Sequence, residues 1–202
     1  MTPSSWLPLA LGLAAGAALA ARSLGLRRQG VDPWVLPTGD DAPGFLGRAF
    51  VGIVAVWAFV LVSWAVAPGW ALRALGAMPL LMGAGFAWAG VALMLAGVVL
   101  VAAAQRTMGR AWRVGIPTGD RPGLVTEGVF GWSRNPVFLG MLIAGLGATL
   151  AIPHGLSLAA LAATYLALSV QIRLEEAYLE GWLGEAYGAY ARKVSRWFGR
   201  RG

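Results

Sequence analysis

Residues 134–176 read RNPVFLGMLIAGLGATLAIPHGLSLAALAATYLALSVQIRLEE, and no side chain from Pro136 to Ile172 is charged. A helix crosses ~30 Å of hydrocarbon with ~20 residues, so this run is too long for one crossing and about right for two. Pro153-His154-Gly155 interrupts it once, as a tight helical hairpin would. Arg134-Asn135-Pro136 and Arg173-Leu174-Glu175-Glu176 then return to the same membrane face. Groups far apart in sequence thereby meet in a polar site at a membrane surface.

The rest of the chain agrees with that reading. Of its 202 residues 58% are hydrophobic and 12% charged, against ~25% charged in soluble domains. Glycine and alanine are abundant, as where packed transmembrane helices approach closely. The expected fold is all-α: a polytopic helical membrane protein of about five transmembrane helices. There is no cysteine and one histidine, which excludes disulfides, thiolate chemistry and a His-cluster metal site. The net charge of +7 lies in loops between apolar segments. It therefore reads as membrane topology and contact with anionic lipid, not as nucleic-acid binding.

Five spans are expected: 4–21, 49–67, one within 74–104, 136–152 and 156–172. Met78-Pro79 either starts the third or leaves it tilted. The first resembles a signal peptide in its alanines, but residues 1–5 lack Lys and Arg, which favours a retained helix. Of the sixteen cations, all but Arg73 fall on one side of such a bundle, as do all nine carboxylates. The positive-inside rule puts that side in the cytoplasm, with the N-terminus outside and the C-terminus inside. Any active site is expected at the cytoplasmic face, because the other face has almost no ionisable group. Residues 1–104 form an N-terminal membrane unit and 105–202 the catalytic region. The tail from Arg173 to Phe198 has apolar and aromatic residues at helical spacing. It is expected as an interfacial amphipathic helix, bent or broken at Gly184 and Gly188. Pro-Thr-Gly-Asp occurs at 37–40 and again at 117–120, which reads as coincidental turn chemistry.

Leu124-Val125-Thr126-Glu127-Gly128-Val129-Phe130, followed by Arg134-Asn135-Pro136-Val137-Phe138-Leu139-Gly140, resembles a signature of the isoprenylcysteine carboxyl methyltransferases. That family is related to the phospholipid N-methyltransferases. Glu175-Glu176, Leu183-Gly184-Glu185, Tyr187, Tyr190, Val194 and Arg196-Trp197 match its second half. Gly109-Arg110-Ala111-Trp112-Arg113-Val114-Gly115 is similar to a motif of bacterial members.

The resemblance implies S-adenosylmethionine as cofactor, in a bacterial inner membrane, with a lipophilic small molecule or lipid as substrate. It implies that Leu124, Val125, Phe130, Asn135, Pro136, Val137, Phe138 and Glu175 hold the cofactor, Glu175 by pairing with its amino group. Gln171, Tyr187, Arg196 and Trp197 are then the candidate substrate contacts, and Arg134, Arg173 and Glu176 the candidate catalytic residues. Methyl transfer is an in-line displacement that needs positioning and desolvation more than acid–base groups. Asn135 stands where the family usually has histidine. Gln171 stands where the prenylcysteine branch has an arginine associated with its carboxylate substrate, so Arg134 or Arg173 would take that part. An NADPH-dependent membrane sterol or enone reductase has a similar C-terminal arrangement, but Val137 replaces its asparagine. A non-catalytic scaffold is the remaining alternative. His154 reads as a turn residue, and most tryptophans as interfacial anchors.

Overall fold

The computed structural model describes residues 3–35, 39–113, 115 and 123–200. Val114, Arg121, Arg201, Pro37, Thr38 and the whole second Pro-Thr-Gly-Asp segment lie outside them. Seven helices follow in order: α1 Trp6–Arg27, α2 Ala42–Val66, α3 Pro68–Leu75, α4 Ala84–Met108, α5 Pro136–Ala151, α6 Gly155–Leu183 and α7 Glu185–Lys193. Helices α1, α2, α4 and α6 are long and apolar enough to cross a membrane, and the 16-residue α5 is a shorter apolar helix. At 1.5 Å per residue α5 reaches only about 24 Å. The most apolar stretches of the four long helices are just 11–33% buried in the protein. Their outward apolar surface is the surface a bilayer would cover, and the chain is a polytopic helical membrane protein.

The helices alternate in direction. At one end the Ser5 hydroxyl donates to the Ala65 carbonyl (3.4 Å). There too, Met78 N–H reaches Pro153 O (2.9 Å) and Gly155 N–H reaches Gly76 O (2.6 Å). At the other end Arg22 of α1 donates to the carbonyls of Gln105 and Gly109, where α4 finishes. A cation at a helix C-terminus complements its dipole. Trp112, from the first motif region, is 3% exposed and packs on Leu26 and Val31. It pins the ends of α1 and α4 together and takes no part in the polar cluster described below.

The closest packing joins α4 to α5. A methyl group on Gly97 would lie 2.4 Å from Gly140 O, and one on Gly147 2.5 Å from Gly90 O. Both pairs are backbone against backbone, a distance that only glycine permits. Rising numbers on α4 meet falling numbers on α5, so the pair is antiparallel.

The Pro153 turn forms the expected hairpin. His154 caps α6, its Nδ1 accepting from Ser157 N–H at 3.1 Å. Several boundaries differ from expectation: α1 runs past residue 21 to Arg27 and α4 past residue 104 to Met108. Helix α2 starts at Ala42, seven residues early, because Asp41 caps it by accepting from Gly44 N–H (2.8 Å) and Pro43 suits the first turn. The third span starts at Ala84, after α3 and a 3₁₀ turn over Pro79–Leu81. Helix α6 does not end at Ile172. It runs unbroken to Leu183, so only α7 is a separate tail helix. Gly184, at φ 52°, makes the break, while Gly188 stays helical.

Candidate active site at the open end of the hairpin

Pro136 sets the first turn of α5, and Asn135 before it is held out of the helix at φ −131°, ψ 55°. The chain entering α5 is turned by a 3₁₀ segment over Gly128–Gly131, opened by Gly128 at φ 56°. Arg134 and Asn135 thus face the part of α6 that extends beyond the apolar run, and the tail after α7 folds back onto both.

Glu176 is the centre of the cluster. Its Oε1 accepts from Arg134 Nε (3.2 Å) and Nη2 (2.9 Å), and its Oε2 from Arg196 Nε (2.9 Å) and Nη2 (2.6 Å). Two guanidiniums grip one carboxylate, each through two nitrogens, the geometry in which Arg is strongest. The side chains of Arg134 and Glu176 are 8% and 12% exposed, that of Arg196 36%. Arg196 is therefore the member a ligand reaches. Its pKa is raised, chiefly by the hydrogen bond to Glu176, against the opposing effect of burial. The group carries two positive charges against one negative and suits an anionic ligand atom.

Backbone contacts fix the same cluster. Arg134 Nη1 donates to Ala191 O (2.9 Å) and Asn135 Nδ2 to Arg196 O (3.1 Å). Arg134 N–H donates to Ser195 O (3.0 Å), and Gly199 N–H to Trp132 O (2.8 Å). Below them Tyr187, Tyr190 and Val194 pack against Leu124, Leu179 and Leu183. The Tyr190 hydroxyl donates to Phe130 O at 2.7 Å. Burial pushes the hydroxyls of Tyr187 and Tyr190 up to about 12, for Tyr187 with help from the Glu176 charge. Both remain protonated donors at any ordinary pH.

The residues singled out from sequence divide clearly. Arg134, Asn135, Glu176 and Arg196 come together, with Leu124, Phe130 and Tyr187 in the adjoining layer. Glu175 lies beside them, accepting from Gln171 Nε2 at 2.8 Å. Pro136 is buried, and Val125, Val137 and Phe138 are half-buried around the loop and the start of α5. Trp197 turns away and stacks on Tyr165. Arg173 is not part of the cluster. It is exposed and its Nη1 folds back on Ser169 O. Three residues before Glu176 it starts from a neighbouring position on α6, but its guanidinium turns back to the preceding turn of its own helix and not to Glu176.

Tyr190 matches the motif but carries no expected role at the site, and Ser133 carries no expectation. The three-residue spacing of Tyr187 and Tyr190 signals a shared helix face, but the partner of Tyr190 is a backbone carbonyl, which leaves no mark in sequence. Ser133, 2% exposed, accepts from Asn135 N–H (3.1 Å) and steadies that turn.

The cluster offers a half-exposed arginine, a neighbouring carboxylate and aromatic walls. Among the described residues no three His, Cys, Asp or Glu side chains form a metal site. Such an arrangement has the charges that a zwitterionic ligand requires. No curated protein matches the chain. The family model described as phospholipid methyltransferase matches residues 86–188, from the start of α4 into α7. That stretch contains the glycine seam, the hairpin, Arg134 and Glu176, and with a match over half its length the chain belongs to the phospholipid methyltransferase family.

Proposed function

We propose that this protein transfers a methyl group from S-adenosylmethionine, at the cytoplasmic membrane face, to a lipophilic or amphipathic acceptor. The observation that carries the reading is the convergence of Arg134, Glu176 and Arg196 on one another at the open end of the hairpin. It accompanies membership of a membrane methyltransferase family.

The residues present fit the cofactor. Among the described residues Glu175 accepts a hydrogen bond from Gln171, and a carboxylate with spare lone pairs suits an ammonium. Arg196 commits Nε and Nη2 to Glu176, which leaves its third nitrogen to donate to a carboxylate. Leu124, Phe130 and the two tyrosines supply the apolar and aromatic walls that an adenine or a sulfonium prefers. When bound, the cofactor supplies an electrophilic methyl group on sulfur. The protein's part is to hold donor and acceptor in line and exclude water, which rests on positioning more than on acid–base groups. Gln171, turned onto Glu175, provides no cation for a carboxylate acceptor, which favours an amine or another neutral nucleophile.

The cytoplasmic assignment rests on the sequence count, in which every cation but Arg73 falls in segments on one side of the expected spans. Residues 105–202 then form the catalytic region on a membrane unit of residues 1–104.

The test is transfer of labelled methyl from S-adenosylmethionine into the lipid extract of membranes containing the protein. Incorporation that disappears with Glu175→Ala supports the reading. No incorporation above membranes lacking the protein contradicts it.

A further inference from the structure

At the end of the bundle away from Glu176, the described chain consists of residues 3–5, 66–84 and 152–155. Arg73 is the only Lys, Arg, Asp or Glu among them. It lies on α3 and is exposed. A methyl group on Gly69 would lie 3.5 Å from its Nη1, so the guanidinium folds back over the first turn of its own helix. Trp70, in that turn, is 46% exposed and meets Phe59 edge-on. An exposed tryptophan beside an arginine is the pattern of the headgroup level of a membrane.

A cavity of about 450 Å³ opens beside the same turn. Pro68, next to Gly69, forms part of its wall, together with Ser5, Trp64, Leu81, Leu150 and Pro153. Among the described residues no charged side chain lines it, and an apolar lining gives water few partners. Its floor is the end of α5. That helix starts beside Arg134 at the charged rim and covers only about 24 Å of ~30 Å of hydrocarbon. Leu150 and Pro153 therefore stop within hydrocarbon depth, and the shortfall leaves a recess among the longer helices. Its 450 Å³ falls within the ~300–1,000 Å³ of small-molecule sites. Ala151, also in the wall, meets Gly90 at the far end of the α4–α5 seam.

We propose that this recess binds one anionic phospholipid of the adjacent leaflet, such as phosphatidylglycerol, with its phosphate on Arg73 and one acyl chain in the cavity. Arginine presents a planar fork that matches phosphate. An anionic headgroup is preferred to a zwitterionic one, because a lipid ammonium finds no carboxylate among the described residues at this end. The chain supplies the contacts that the short α5 leaves unmade. It bears on Ala151, so the lipid braces the glycine seam from the end opposite the Glu176 cluster. The site does not depend on the methyl-transfer reading.

The test uses phosphatidylglycerol with a diazirine at the end of one acyl chain, photolysed with the full-length protein in detergent and mapped by peptide mass spectrometry. Label is expected on Trp64, Leu81 or Leu150, saturating near one lipid per protein. Unlabelled phosphatidylglycerol should compete about tenfold better than phosphatidylcholine, and Arg73→Gln should cut the labelling about tenfold, the scale of one charge-assisted hydrogen bond. Arg73→Lys should keep most of it. Arg106→Gln, which removes an exposed cation at the other end, should change nothing. Labelling indifferent to Arg73→Gln, or scattered along the outward faces of α2 and α4, would mean ordinary bilayer contact and overturn the site. Competition by free glycerol phosphate as strong as that by the lipid would reduce it to a simple anion contact, and label confined to α3 would place the chain outside the cavity; either result also overturns it.

Discussion

The α4–α5 seam and the cluster around Glu176 hold adjacent parts of this molecule by opposite means. At the seam, Gly97 and Gly147 bring two helix backbones into contact with Gly140 and Gly90, with no side chain between. At the cluster, long side chains from the α5 entrance, α6 and the tail meet through charge-assisted hydrogen bonds. The seam's energy is close packing, which is lost if any atom is added. The cluster's energy is a balance between attraction and desolvation, so its net contribution to stability is much smaller than its bond count implies. The seam therefore serves as the scaffold, and the cluster, with its partly exposed Arg196, as the part that can exchange a contact for a ligand.

The largest effect is expected at the seam. Gly97→Leu must push apart the two backbones, and should cost about 3 kcal/mol, read as a lowered midpoint of thermal unfolding in detergent. Gly85→Ala, on the same helix but with nothing within 4 Å of an added methyl, should stay within ~0.5 kcal/mol of wild type. Equal melting of Gly97→Leu and Gly85→Ala would remove the distinction between scaffold and cluster.

Glu176→Gln leaves two arginines facing each other without their shared anion. About 2 kcal/mol of stability should go, less than for a fully buried pair because Arg196 is partly solvated. S-adenosylhomocysteine affinity should fall at least ~10-fold. A variant that loses stability but binds normally would make the cluster purely structural.

Tyr190→Phe deprives the Phe130 carbonyl of its donor and should cost about 1.5 kcal/mol in denaturant unfolding. Burial raises the Tyr190 hydroxyl from 10.0 to about 12. The folded state then prefers the protonated form, so its contribution is complete below pH 10 and is lost as pH rises through about 12. An alkaline stability loss in that window should be smaller in Tyr190→Phe than in wild type. The mildest change is Arg196→Lys, which keeps the charge but not the two-nitrogen grip, and should cost about 0.5–1 kcal/mol with a measurable loss of product affinity.

Much of this was legible in the sequence, for identifiable reasons. The uncharged run with one Pro-His-Gly interruption required a hairpin, and a hairpin returns Arg134 and Glu176 to one face. Arg196 came only through the resemblance, since its partner is twenty residues away across the Gly184 break. The charges at 173–176 suggested a new helix there. α6 simply continues, because nothing before Gly184 stops it. Arg173 looked like Arg134 by composition, and what separates them is that its guanidinium turns to Ser169 O while that of Arg134 turns to Glu176, a choice that spacing does not reveal. Trp112 lies in a motif yet is packing, since burial against Leu26 depends on α1, which no local pattern reveals. The Tyr165–Trp197 contact joins residues 32 apart, and neither carries a pattern that points to the other.

The most direct test of the Glu176 cluster as a methyl-donor site is calorimetric titration of the detergent-purified protein with S-adenosylhomocysteine, with NADPH run in parallel. One saturable site for S-adenosylhomocysteine is expected, lost in Glu175→Ala and kept in Gly85→Ala, with no heat from NADPH. Binding of NADPH instead, or S-adenosylhomocysteine binding that is indifferent to Glu175, would contradict it.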